Sequence, residues 1–331
     1  MMEQKKINLQ NLFREWGILA VIIVIVIVAS IRQHAFLRPS NLVNILRSYS
    51  TIGIAALGMA YTVIGGGMDL SISSTVSLSA VVTMLIINGT CADRYSPAYA
   101  TFLAFLAGAA VGALVGSVAG AIMAAVNGRM GEAFIITYAL QIIIASVANG
   151  VVNGRFQAAE YRGGLFKEMG KGVVPILIFL AIAAVMQWIL TKTEFGRELY
   201  FLGANMKAAK MAGIRTRKVR FLSHMICGIC AGIAGVVVVS RVNSASISQG
   251  LNYEMDAMAC VTIGGVSLEG GSGSILNTVL GVIMLGVLLN ALNLLGVQAN
   301  AQLIVRGAVV IIAVILDTWN KAAKTRGAAN V

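Results

Sequence analysis

The chain has 331 residues, of which 58% are hydrophobic and only 11% charged, and its mean hydropathy is +0.86. A soluble globular domain carries about a quarter of its residues as charges, so this composition excludes that class and indicates an all-α polytopic membrane protein. The formal charge of +12 does not point to nucleic acid, because the lysines and arginines sit in short segments between apolar runs, where such residues set topology.

The polar opening MMEQKKINLQNLFREWG gives way to ILAVIIVIVIVASI with no small-residue cleavage site after it, so a retained first span is expected rather than a signal peptide. A hydrocarbon core about 30 Å thick takes about 20 helical residues. On that measure ten segments emerge, roughly 16–31, 49–66, 71–88, 98–126, 133–151, 173–191, 221–240, 256–268, 274–295 and 302–318. An even number puts both termini on one side, and KKINLQNLFR and WNKAAKTR are both basic, as cytoplasmic flanks should be. The expected organisation is a cytoplasmic segment 1–15, one transmembrane domain 16–320 and a cytoplasmic tail 321–331. Segments 32–48 and 152–172 carry cations and fall outside in this scheme, so the orientation rests on the C-terminus and on one large loop.

That loop, 192–220, carries eight Lys or Arg and two acids, Glu194 and Glu198. It is a basic, water-soluble island between apolar runs, and the scheme places it in the cytoplasm.

Segment 98–126 has Gly108, Gly112, Gly116 and Gly120, a glycine at every fourth residue along one helix face. Lipid gives helices little hydrophobic drive to associate, so close backbone approach over small residues supplies the contact. The partner is either another helix of the chain or a second chain.

Two stretches look alike: Met59–Gly66 reads MAYTVIGG, and Met258–Gly265 reads MACVTIGG. Each is an apolar run broken by glycine and hydroxyl residues and then resumed. Corresponding broken segments point to a solute path, since irregular backbone at membrane depth must be covered by protein or line a water-filled cavity. On this reading Asp69, Ser71, Ser73, Gly264, Gly265, Ser267 and Asn290 are candidate path residues. Asp69 either faces that path or caps the helix starting near Ser71. Ser71, Ser73, Ser74 and Thr75 bond either a polar solute or their own helix.

The chain has no G-x-x-x-x-G-K-[ST], and Gly270–Ser274 lacks the lysine of a phosphate-binding loop. Neither His34 nor His224 has a nucleophile or ligand near it in sequence. Cys227 and Cys230 read as small residues of a packed helix. No catalytic residue and no metal site is expected.

The segment GRELYFLGANMKAAKMAGIRTRKVRF resembles the cytoplasmic loop of the permease subunits of ribose-type sugar ABC importers. The matching positions are Gly196 and Arg197, Gly203 and Asn205, Ala208 and Ala209, and Gly213 and Ile214. GGGMDLSIS matches a second family element, and 255–297 matches the C-terminal half, so the likeness runs from about Phe36 to Asp317. Ser73, Gly131–Ala133 and Ala291 depart from the family pattern near the supposed path, which keeps substrate identity from being carried over closely.

The resemblance implies a non-catalytic permease of the bacterial cytoplasmic membrane, for a monosaccharide or similar small polar solute. It also implies a second permease chain, identical or paralogous, a separate ABC ATPase that binds ATP and Mg, and an extracytoplasmic binding protein. This chain is expected to bind no cofactor. The eight loop positions become candidate coupling residues, and a short helix at roughly 205–212 becomes the element that docks on the ATPase, with Ala208, Ala209 and Ala212 permitting close approach. A nucleoside or branched-chain amino acid permease is the alternative within the class. Outside it, the alternative is an ion-coupled secondary transporter with Asp69 as its ion site.

Overall fold

The computed structural model describes residues 22–91, 96–128, 130–160 and 164–329. The segment 1–15, the first six residues of the expected first span and the last two residues of the tail lie outside them. In chain order the helices are α1 (Ile22–Arg32), α2 (Pro39–Ile64), α3 (Ile72–Cys91), α4 (Pro97–Val126), α5 (Met130–Val152), α6 (Leu165–Met169), α7 (Val174–Lys192), α8 (Glu194–Ala204), α9 (Met206–Met211), α10 (Thr216–Val242), α11 (Tyr253–Ile263), α12 (Ile275–Leu294) and α13 (Ala299–Ala329).

Seven of these, α2, α3, α4, α5, α7, α10 and α12, are long and apolar enough to cross a membrane. The expected segments 16–31, 256–268 and 302–318 correspond to α1, to the 11-residue α11 and to the apolar first part of α13, Ala299–Ile312, each with fewer than 18 described residues. The expected start of the second segment at 49 is corrected to Pro39. Proline at the first helical position gives up an N–H that has no partner there anyway, and Arg38 before it is extended, at φ −61° and ψ 134°. Arg47 is thus a residue inside a helix, where its Nη2 donates to Asn44 Oδ1 at 2.9 Å.

The helices form an inner and an outer set. Over their most apolar stretches α3 and α10 are 72% buried, against 28% for α4, α5 and α7, so the former build the core and the latter face outward. Tyr61, Leu57, Met84, Val236 and Leu285 are among the fully buried core residues, contributed by α2, α3, α10 and α12.

The four-residue glycine stripe of α4 lies against α10 of the same chain. A Cβ at Gly112 would collide with the Gly228 carbonyl, one at Gly116 with His224 and Gly228, and one at Gly120 with Phe221. The fit is reciprocal, since a Cβ at Gly228 or Gly232 would strike the backbone of α4. The other side of α10 packs on α2, where a Cβ at Gly58 would come to 2.9 Å from both Cys227 Cα and Cys230 Cβ. Cys227 and Cys230 are buried and unbridged.

The two ends of the bundle are distinct. At one end a two-residue strand, β1 (Gln157–Ala158), pairs antiparallel with β2 (Ser244–Ala245). Asn88 near the end of α3 donates to the Ala158 carbonyl there at 2.9 Å. At the other end lie α8, α9 and the turns that follow α2 and α11.

Gly112→Leu and Gly228→Leu are each expected to cost more than the roughly 1–3 kcal/mol of an overpacked core, because rigid backbone is the obstacle. Thermal unfolding in detergent checks this, with Gly307→Leu, a position with open space around it, as the unaffected control.

Candidate functional site

The basic loop is folded. Thr193 caps α8, its Oγ1 accepting from Gly196 N at 3.3 Å. Gly196 has its absent side chain against the Leu190 carbonyl, which lets α8 turn back on the end of α7. Asn205 then caps α9, its Oδ1 accepting from the N–H groups of Lys207 and Ala208 at 3.0 and 3.1 Å. Gly213, at φ +80°, ends α9 in a Schellman turn, with Ile214 N donating to Ala209 O and Gly213 N to Lys210 O, both at 3.1 Å. Asn205 and Gly213 are therefore the start and stop of one short helix. Arg197, Ala208 and Ala212 are exposed, and Ile214 is half-buried against the core. Ala209 is 2% exposed and faces inward, so close approach from outside at α9 falls to Ala208 and Ala212. Met211, 90% exposed, is the barest large apolar side chain of the described residues and was not singled out by sequence reasoning.

The lookalike stretches end alike. Gly66 (φ +77°) closes α2 with Gly67 N donating to Thr62 O and Gly66 N to Val63 O, both at 2.9 Å. Gly265 (φ +76°) closes α11 with Val266 N donating to Val261 O at 3.1 Å and Gly265 N to Thr262 O at 2.9 Å. These are the same Schellman turn at corresponding residues, and left-handed backbone there is what glycine supplies.

These turns and the basic loop meet in backbone contact. Gly271 N donates to Ile64 O at 2.8 Å. A Cβ at Gly203 would strike Ile64 O and Gly271 N, and one at Gly270 would come to 2.8 Å from the Gly66 backbone. Tyr200 of α8 donates its hydroxyl to Gly273 O at 2.7 Å. Burial pushes the Tyr200 phenol above its usual range, so it remains a donor at neutral pH. α8 is thus fastened both to the end of α2 and to the loop joining α11 to α12.

The candidate path residues do not share one place. Asp69 is 1% exposed, and its Oδ1 accepts from Ser71 N at 3.0 Å and Ser71 Oγ at 2.6 Å, with His224 and Cys227 beside it. Ser74 and Thr75 bond back to the Ser71 carbonyl, at 3.0 and 2.8 Å. Ser73 is 5% exposed and its Oγ has no partner, while Ser267 is 4% exposed. Gly264 packs on the backbone of Asn277 and Thr278 near the start of α12. Asn290, near the far end of α12 and so about 20 Å along it, exchanges amide hydrogen bonds with Asn41 at 2.9 and 3.1 Å.

A second polar group lies at the start of α11. Asp256, 5% exposed, accepts from Arg306 Nη1 of α13 at 2.8 and 3.0 Å. Tyr253 shares a hydrogen bond of 3.1 Å with Thr51 of α2, and Gln141 of α5 reaches Glu254 at 3.5 Å. Beside Gln141 a cleft of about 400 Å³ is lined by Tyr138, Gln141, Ser146, Asn149 and apolar neighbours of α5, together with Ile247. Two acids and an arginine at the edges of apolar segments were a legible signal for this group, but their pairing crosses 50 residues of chain.

Residues 41–314 match the family described as branched-chain amino acid transport system / permease component. The chain belongs to this permease family. It is 36% identical to the ribose import permease protein RbsC of Bacillus subtilis over 95% of this chain and 96% of that protein. It is 33% identical to the RbsC of Escherichia coli over 92% and 94%, and 31% identical to the L-arabinose transport system permease protein AraH of Escherichia coli over 95% and 93%. No solved structure matches the chain. In this multi-pass permease the loop that carries the family resemblance is the one joined by backbone contact to both broken segments.

Breaking the buried pair by Asp256→Asn leaves the Arg306 charge without its carboxylate, at an expected cost of about 3 kcal/mol. The double variant Asp256→Asn/Arg306→Met should recover most of that loss in the same thermal unfolding measurement.

Proposed function

We propose that this chain is the transmembrane subunit of an ATP-driven importer that passes a monosaccharide from an extracytoplasmic binding protein across the bacterial inner membrane. The observation that carries the reading is α9, an exposed helix with a cap at each end, set on a loop locked to the ends of α2 and α11. The relatives named for ribose and L-arabinose transport favour a pentose-like solute over an amino acid or nucleoside.

In this reading all ten segments cross the membrane, with α11 as a half-helix shielded by its neighbours, and both termini and the basic loop lie in the cytoplasm. The permease domain spans 16–320. A separate ATPase, which binds the ATP and Mg, docks on α9 through Lys207, Ala208, Lys210, Met211 and Ala212. ATP-driven closure moves α9 and α8, and the Gly66–Gly203–Gly270 junction passes the displacement to α2 and the α11–α12 loop, rocking the bundle between outward and inward states. Gly196, Arg197, Asn205, Ala209, Gly213 and Ile214 shape the loop that makes this transfer.

A second permease chain, identical or paralogous, covers the outward face of α5. Support comes from Tyr138, Gln141, Ser146 and Asn149, uncharged polar groups on a helix that otherwise faces lipid. A solute with many hydroxyls suits a path lined by such groups. Asp69, held by Ser71 ahead of α3, has the partners of a capping carboxylate rather than of an open ion site.

Co-expression with a candidate ABC ATPase from the same organism checks the proposal. The pair is expected to co-purify and to take up ribose or L-arabinose only with the binding protein present. Ala208→Trp and Met211→Glu should reach the membrane normally and lower uptake at least tenfold. Uptake that persists without any ATPase and collapses with an uncoupler would overturn the importer reading in favour of ion coupling.

A further inference from the structure

A cleft of about 630 Å³ opens beside α9, between the ends of α2 and α8, the start of α5 and the loop after α11. Its walls include Gly66, Leu202, Met206 and Leu268, Lys207 and Glu269 also line it, and Arg220 of α10 contributes a guanidinium. Arg220 is 5% exposed. Its Nη1 is buried with no hydrogen-bond partner, and its Nη2 donates to the Met206 Sδ at 3.4 Å. Arg220 belongs to neither ion pair among the described residues. Glu132, an exposed residue of α5, lies near enough to act on its charge.

A buried guanidinium is costly unless a carboxylate or phosphate meets its planar fork, and the usual solution is a bidentate pair inside the fold. Here the fold supplies a thioether instead and leaves a cleft over the group. Resting on the importer reading above, we infer that this cleft is a socket for one carboxylate side chain of the partner ATPase, with Arg220 at its base. Asn205, Met206 and Lys207 at the start of α9 line the cleft, so a protein docked on α9 has the socket at its edge. Seven further cations of the loop, among them Lys207, Lys210 and Lys218, favour an acidic partner surface. The apolar walls suit the stem of an Asp or Glu side chain.

The socket separates stability from assembly. Arg220→Met removes a buried charge that the isolated permease leaves unpaired, so its melting temperature in detergent should stay the same or rise, while its affinity for the ATPase should fall at least tenfold. Arg220→Lys keeps the charge without the fork and should lose part of the affinity. An Arg220→Glu permease should regain assembly with an ATPase in which one surface acid is changed to Arg. Wild-type affinity in Arg220→Met or in Arg220→Lys overturns the socket, as does a lower melting temperature with unchanged affinity. Inorganic phosphate that stabilises the wild type but not Arg220→Met would assign the site to a free anion and also overturn it. If Ala208→Trp abolishes assembly while Arg220→Met does not, the importer reading stands and the socket falls. If the wild-type pair never assembles, the importer reading itself falls.

Discussion

In lipid an apolar side chain gains little by moving from hydrocarbon to protein, so helices are held together by how closely their backbones can approach. The seam between α4 and α10 is built on that constraint. Gly108, Gly112 and Gly116 put bare backbone against Gly228 and Gly232, and Gly120 against Phe221, so no side chain could be inserted between them without moving a helix. α10 then carries Cys227 and Cys230 on its other side, where Gly58 of α2 lets the two helices close up. Because α10 also begins at the end of the basic loop, its fixed position sets where that loop stands.

The same close approach recurs at the end of the bundle, with a different consequence. Gly66, Gly203, Gly270 and Gly271 bring three chain segments into backbone contact, and one N–H to carbonyl bond, from Gly271 to Ile64, closes the junction. Backbone contacts have no rotamers to absorb a displacement, so movement of α8 is passed on to α2 and to the α11–α12 loop. In the importer reading this stiffness is what a coupling element needs. Flexible lysines on the same loop could bind a partner but could not transmit its motion.

Polar groups inside the bundle are handled by pairing. Asp256 meets Arg306, Asn41 meets Asn290, and Asp69 takes both donors of Ser71. Each arrangement spares a polar group from facing hydrocarbon. Some buried polar atoms, Ser73 Oγ and Arg220 Nη1 among them, keep no such partner, and Arg220 lines a cleft beside α9.

Composition and hydropathy were enough to read an all-helical membrane protein, and the loop 192–220 could be recognised because charge is rare elsewhere in the chain. The spacing of the α4 glycines announced a contact surface, and the Gly-Gly pairs at 65–66 and 264–265 announced broken segments, since local backbone preference is written in local sequence. Tertiary structure alone decided that the α4 stripe meets α10 of the same chain, that Ala209 faces inward while Met211 stands bare, and that of the candidate path residues Gly264 and Asn290 fall at opposite ends of α12. It alone brought Gly66, Gly203 and Gly270 together, across some 200 residues of sequence. The reason is physical: a glycine specifies only that something approaches closely, and which segment approaches is set by the packing of the whole bundle.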